Sequence, residues 1–294
     1  MSLWIKYVGC ALVLLGFTQA GNLSSAAAQQ AAARKKVTSD ADLPRFSYPI
    51  AIAPSALLQS DDATFNPFMQ KVNTDVESVL AGYEIEDKAT LRTLLRGRYD
   101  VQLLQGDSTG ALDTVNRIHD LEEKPLTRAT GEAFDRALLQ AWTKAGTSSG
   151  PAFEGEFEKD FAASVNALPW DLVQDWAKSL KASSDFVTLK VVLNSVKANV
   201  DEDALKSKSV DLHTALQLLS SRVYVKFRLP VNAEVGMALT PYIRTHNAPK
   251  PDIWAAREVT LTESDKLTPA RIGIWDSGVD TALYPGQLFV DPAP

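Results

Sequence analysis

Cysteine is almost missing from this chain: of 294 residues only Cys10 carries a thiol, and it sits in the first apolar segment. A single thiol excludes a disulfide framework within the chain. Beyond that segment it also excludes a cysteine nucleophile and a thiolate metal site. Histidine is nearly as scarce. His119, His213 and His246 stand far apart without metal-ligand spacing, and ordinary half-buried positions on separate helices account for all three. No cofactor is implied. A surplus of basic residues is lacking too: the formal net charge is −6, which argues against nucleic-acid partners. Past the N-terminus no second long apolar run follows, so no stable membrane span is expected once the leader is removed.

The leader itself has three parts. "MSLWIK" carries Lys6, "YVGCALVLLGF" is apolar but too short to span a bilayer, and "TQAGNLSSAAAQQ" is small and polar. This is the layout of a secretory signal peptide over residues 1–28, cut after Ala20 or within Ala26–Ala28. A secreted or periplasmic location follows as an expectation. Cys10 precedes the apolar run rather than following it, which argues against lipidation.

The rest has ordinary globular composition, 45% hydrophobic and 22% charged. Residues 29–65 read as a linker and a Pro-punctuated extended segment. From 66 to 247 the periodicity is helical. Phe68, Val72, Val76, Val79 and Leu80 share one face, as do Leu91, Leu94, Leu95, Val101 and Leu104 in the next segment. Further helices are predicted at about 109–122, 126–145, 153–166, 169–181, 184–199, 210–227 and 232–246. Phe153, Phe157 and Phe161 recur every four residues. Pro125 and Pro169 stand where helices should start, and "GTSSGP" at 146–151 is a turn. Short connections predict a mainly α, antiparallel helical array. "LLQGDSTGALDTVNRIHDLEEKP" resembles the second half of a tetratricopeptide repeat, with Gly106 at the turn and Ala111 at a close helix approach; no second clean copy follows.

After Asn247 the character changes. "APKPDIW" is a Pro-rich boundary, "REVTLTES" alternates like a strand, and "KLTPARIGIWDSG" reads as turn, strand, turn. A second domain is expected over 252–294. Two candidate motifs elsewhere dissolve on inspection. "GTSSG" around Ser148 has the spacing of a hydrolase nucleophile elbow, but a helix precedes it and Pro151 follows, so it is a loop. "DEDALKSK" from Asp201 is a helix start with acids near the positive end of the dipole, not a calcium loop.

"IGIWDSGVD" is different. An alternating strand delivers Asp276 to a turn in which the amides of Ser277 and Gly278 can hold a carboxylate, and Gly278 permits the sharp bend. "RIGIWDSGVDT" resembles the aspartate block of the subtilisin-like serine proteases. The resemblance implies that Asp276 is the triad aspartate, orienting a histidine and stabilising its imidazolium, in an α/β catalytic domain that acts on peptide or protein substrates. Trp275 and "ALYPG" depart from the family's usual residues. The same segment also resembles the Asp-Ser/Thr-Gly block of retroviral-type aspartic proteases, although Val279 stands where that family prefers alanine.

The family order is aspartate, histidine, serine, and no histidine and no serine other than Ser277 follow Asp276. The chain is therefore expected to be the front part of such an enzyme, with the catalytic domain cut off soon after it begins and no peptidase activity of its own. Its helical region would be a pro-region or accessory region. The alternative is a non-enzymatic helical module that binds a protein partner outside the cytoplasm.

Overall fold

The computed structural model describes residues 34–247, 255–262, 264–268 and 286. Over these the chain is mainly α, 74% helix and 5% strand. The leader over 1–28 and Asp276 both lie outside the described residues. Two compact units are separated after Asn247, residues 1–247 and 248–294.

The stretch expected to be linker and extended segment is, from Arg34 on, part of the first unit. It contributes strand β1 (Lys35–Val37), strand β2 (Ser47–Pro49) and helix α1 (Pro54–Leu57). Val37, Tyr48 and Leu58 in it are fully buried. Its prolines prevent a long helix but leave apolar residues that must be covered, and they are covered by distant chain. β1 pairs in parallel with β3 (Tyr83–Ile85), and β2 pairs antiparallel with β4 (Ser209–Asp211), with Tyr48 opposite Val210.

The helices follow: α2 (Asp62–Gly82), α3 (Lys88–Gln105), α4 (Ser108–Asp120), α5 (Pro125–Thr130) and α6 (Ala133–Ala145). After them come α7 (Pro151–Asn166), α8 (Trp170–Phe186), α9 (Leu189–Val196), α10 (Glu202–Ser207), α11 (Leu212–Val223) and α12 (Asn232–His246). Aspartates start four of them. Asp61, Asp87, Asp107 and Asp211 accept the backbone N–H of Thr64, Thr90, Gly110 and Thr214 at 2.7–2.9 Å, satisfying a donor that the first turn leaves free. The α3–α4 hairpin turns at Gly106, whose φ of 81° is left-handed, and Ala111 is fully buried where the second helix crosses the first.

Several boundaries differ from the periodicity; the helix expected over 184–199 begins only at Leu189 and passes through a π-helical stretch, Lys197–Asp201, into α10. The helix expected over 126–145 is two, α5 and α6: the Gly131 N–H closes the first ladder on the Thr127 carbonyl at 2.7 Å, and a new one opens with the Arg136 N–H on the Glu132 carbonyl at 2.8 Å. The helix expected to end at 181 runs to Phe186, since "KASSD" contains no breaker. The one expected over 210–227 passes into a wider π-helical turn, Tyr224–Arg228, ahead of Pro230, a residue that has no N–H to offer Lys226.

Two buried clusters form the core. One is aromatic and built mainly on α4, α6, α7, α8 and α12: Phe157 stacks on Phe161 at 5.5 Å and meets Phe134 at 5.0 Å. The other is mostly aliphatic and gathers β2, α1, α2, α10 and α11 around Val72, Val76 and Leu219. Helix α3 serves both, giving Tyr99 and Leu103 to the first and Leu94 and Val101 to the second.

In the second unit, residues 258–262, read as part of a strand, have no regular secondary structure, and Val259 and Leu261 are exposed. Asp265 instead accepts the N–H of Thr262 at 2.6 Å, closing a turn.

Candidate binding cleft

Arg92, Arg96 and Asp100 follow at intervals of four along α3 and so form one stripe. Facing it are Val115, Ile118 and His119 of α4, Glu132 before α6, and His213, Leu216, Gln217 and Ser220 of α11. Together they enclose a cleft of about 360 Å³ with largely apolar walls. Gly97 lets α11 come close: a Cβ there would overlap Leu216 Cδ2.

Behind the cleft, where α3 passes between the two cores, lies a buried ionic group. Asp135 is 1% exposed and accepts from Arg96 Nη1 at 2.6 Å and Arg228 Nη2 at 2.9 Å, one guanidinium to each oxygen. Arg228 also lies over the Phe134 ring at 4.4 Å, and Arg96 over Tyr99 at 4.9 Å. Burial alone would push the Asp135 carboxyl up, but the Arg96 and Arg228 charges outweigh it and hold it below the usual range. The π-helical turn is what brings Arg228 to this point.

Asp100 has the opposite fate. It is 2% exposed, and burial pushes its carboxyl up to about 7. Arg96 and Arg228 favour the carboxylate while Asp135 opposes it, and the attraction does not repay the lost hydration. The Ser220 hydroxyl is a neighbour that favours the charged form, yet no close hydrogen bond joins the two. The arginines that line the cleft already face carboxylates, Arg92 with Glu122 at 2.8 Å and Arg96 with Asp135; His119 faces Glu132, whose other oxygen takes Arg136. The cleft thus contains one carboxyl that holds or releases a proton near neutrality, beside walls that suit an apolar group.

Two of the three histidines meet at the cleft, and His246 lies apart. His119 is half-buried, as expected, and lines the cleft; His213 is exposed at the same cleft beside Gln217, 3.1 Å away. His246 is exposed as well, stacking on Trp170 with its Nδ1 2.8 Å from the Tyr242 carbonyl. Ser148 sits in the loop between α6 and α7, flanked by Gly146 and Gly150 in left-handed conformations. Asp201 accepts the N–H of Ser55 at 2.9 Å, a structural tie rather than a cation loop. Among the described residues no group of three acids, histidines or cysteines has metal-binding geometry, and no helix is long and apolar enough to cross a membrane.

The residues that shape the cleft escaped the sequence reading, although a signal was present. In "AFDRALL", Asp135 precedes Leu138 and Leu139 by three and four positions, so an acid stands on the core-facing stripe of its helix. Asp100, four residues after Arg96 and between Tyr99 and Val101, is a similar misfit. The chain matches no protein-family model, and comparison with curated proteins and with solved structures likewise returned no match.

Proposed function

We propose that this chain is the front part of an exported subtilisin-like serine endopeptidase. The helical body is its pro-region or accessory region, and Asp276 is the aspartate that orients the triad histidine when the catalytic domain is complete. The observation that carries the reading is the order of parts. A helical unit that buries its own two cores is followed, after Asn247, by a separate unit containing "RIGIWDSGVDT". Acyl transfer needs a nucleophile, a base in reach of it and an orienting carboxylate. In this reading Asp276 is the orienting carboxylate, and the base and nucleophile belong to the rest of the catalytic domain.

The gene tests this. Reading onward from codon 294 should reveal a histidine block and later a Gly-x-Ser block, and Asp276→Asn in that long form should lower turnover by roughly 10⁴. A continuation without either block, or inhibitor-sensitive proteolysis by the 294-residue chain itself, contradicts the proposal. An aspartic-protease continuation would also lack both blocks.

The cleft favours a second reading, a helical module that binds a partner outside the cytoplasm. Adding the purified chain to the complete catalytic domain separates the two: a pro-region inhibits it or assists its refolding, and a binding module does neither.

A further inference from the structure

We infer that the cleft between α3, α4 and α11 is a binding site for an aliphatic primary amine, its ammonium on the Asp100 carboxylate and its chain against Ile118 and Leu216. The inference stands whether or not the chain belongs to a protease. A volume of about 360 Å³ holds a slim four- to six-carbon chain with room to spare. The walls offer apolar surface, and the most deeply buried acid lining the cleft, Asp100, has the Ser220 hydroxyl and the Arg96 and Arg228 charges as its neighbours. A buried carboxylate without a donor is costly, and a ligand N–H removes that cost.

Charge counting shows what a bound ammonium would replace. With Asp100 ionised, Arg96 and Arg228 balance Asp100 and Asp135; with Asp100 protonated, the group carries one positive charge. An ammonium replaces that proton, so the buried charge does not change when it binds. An anion would have to share Arg92, Arg96 or His119 with the carboxylate each already faces.

Because ligand and proton compete for one carboxyl, affinity should rise with pH. Asp100 is faced by Arg96 and Tyr99 from its own helix, Asp135 from α6, and Arg228 from the π-helical turn; His119, Glu132 and His213 also line the cleft. Between pH 6 and pH 8 a carboxyl titrating at about 7 becomes some tenfold more ionised. His119 and His213 line the same cleft, so their part must be separated from that of Asp100.

Calorimetry on the full chain with n-butylamine, with Nα-acetyl-lysine methylamide and with butyrate tests the site. Both amines should bind about tenfold more tightly at pH 8 than at pH 6, with shifts in the Ile118 and Leu216 methyl resonances. Asp100→Asn should weaken binding at least tenfold and flatten the pH slope, while the His119→Gln, His213→Gln double variant should keep the slope. The blocked lysine binding tenfold better than butylamine identifies a lysine side chain of a partner as the ligand; the reverse identifies a free amine. Butyrate binding in preference to both amines, a slope that follows the histidines, or amine-induced shifts that avoid the cleft methyls would each overturn the inference. The methyl shifts are read on the unaltered protein, so a poorly folded variant does not protect the idea.

Discussion

The aromatic core around Phe157 and the aliphatic core around Val76 are assembled over very different stretches of chain. In the first, α6 and α7 are consecutive, joined by a five-residue turn, and the stack Phe153–Phe157–Phe161 lies on one helix. In the second, residues 48–58 must meet residues 196–222. Arg222 Nη1 donates to the Leu58 carbonyl at 2.5 Å across 164 positions, Ser55 donates to Asp201 across 146, and β2 finds β4. The first core therefore has a local nucleus in α6 and α7 that α12 completes, whereas the second has no such nucleus at its N-terminal edge and waits for distant parts of the chain to be brought together. Two cores built this way leave a seam, and the seam along α3 is where Arg96, Asp100, Asp135 and Arg228 collect.

The comparison is broken most severely in the aromatic core. Phe157→Ala removes a fully buried ring that contacts three other phenylalanines, and urea unfolding should show a loss of about 3–5 kcal/mol. A loss below about 1 kcal/mol would mean that this core is not packed as described. Arg222→Ala attacks the long-range core. It strands the Leu58 carbonyl and leaves Asp62 with Lys226 alone, for an expected loss of about 1–3 kcal/mol with faster hydrogen exchange over 54–58 but not over 151–166. Equal loosening of both stretches would erase the distinction between the cores. Asp211→Ala is the mildest. It removes the cap of α11 just after β4, costs about 1 kcal/mol and lowers the melting temperature by a few degrees. Its carboxyl is held below the usual range by the Thr214 N–H, so this contribution is present above about pH 4 and fades in stronger acid.

The same contrast explains what was legible. The mainly α class, the Phe153–Phe157–Phe161 face and the α3–α4 turn at Gly106 were written in local periodicity and in single residues with one conformational use. Residues 34–65 were not legible as core, because Tyr48 and Leu58 are covered by chain more than 140 positions away and no local pattern announces such partners. The cleft was legible only in part. The interval of four in Arg92, Arg96 and Asp100 is visible, but that Asp135 and Arg228 join Arg96 depends on how α6 and the π-helical turn pack against α3.

The central claim is that Asp100 lies uncompensated at the seam, its carboxyl raised by burial to about 7, while Asp135 beside it stays charged. Between the unfolded aspartate value of about 4 and the folded value, the native chain holds a proton that the unfolded chain has released, so stability attributable to Asp100 falls as pH rises through that window. The direct test is the unfolding free energy of the wild type and of Asp100→Asn, measured in urea at half-unit steps from pH 4 to pH 8. The account predicts a difference that shifts steadily in favour of the asparagine variant up to about pH 7 and then levels, by as much as a few kcal/mol. A difference that stays constant across the range, or that shifts in favour of the aspartate as pH rises, would contradict it.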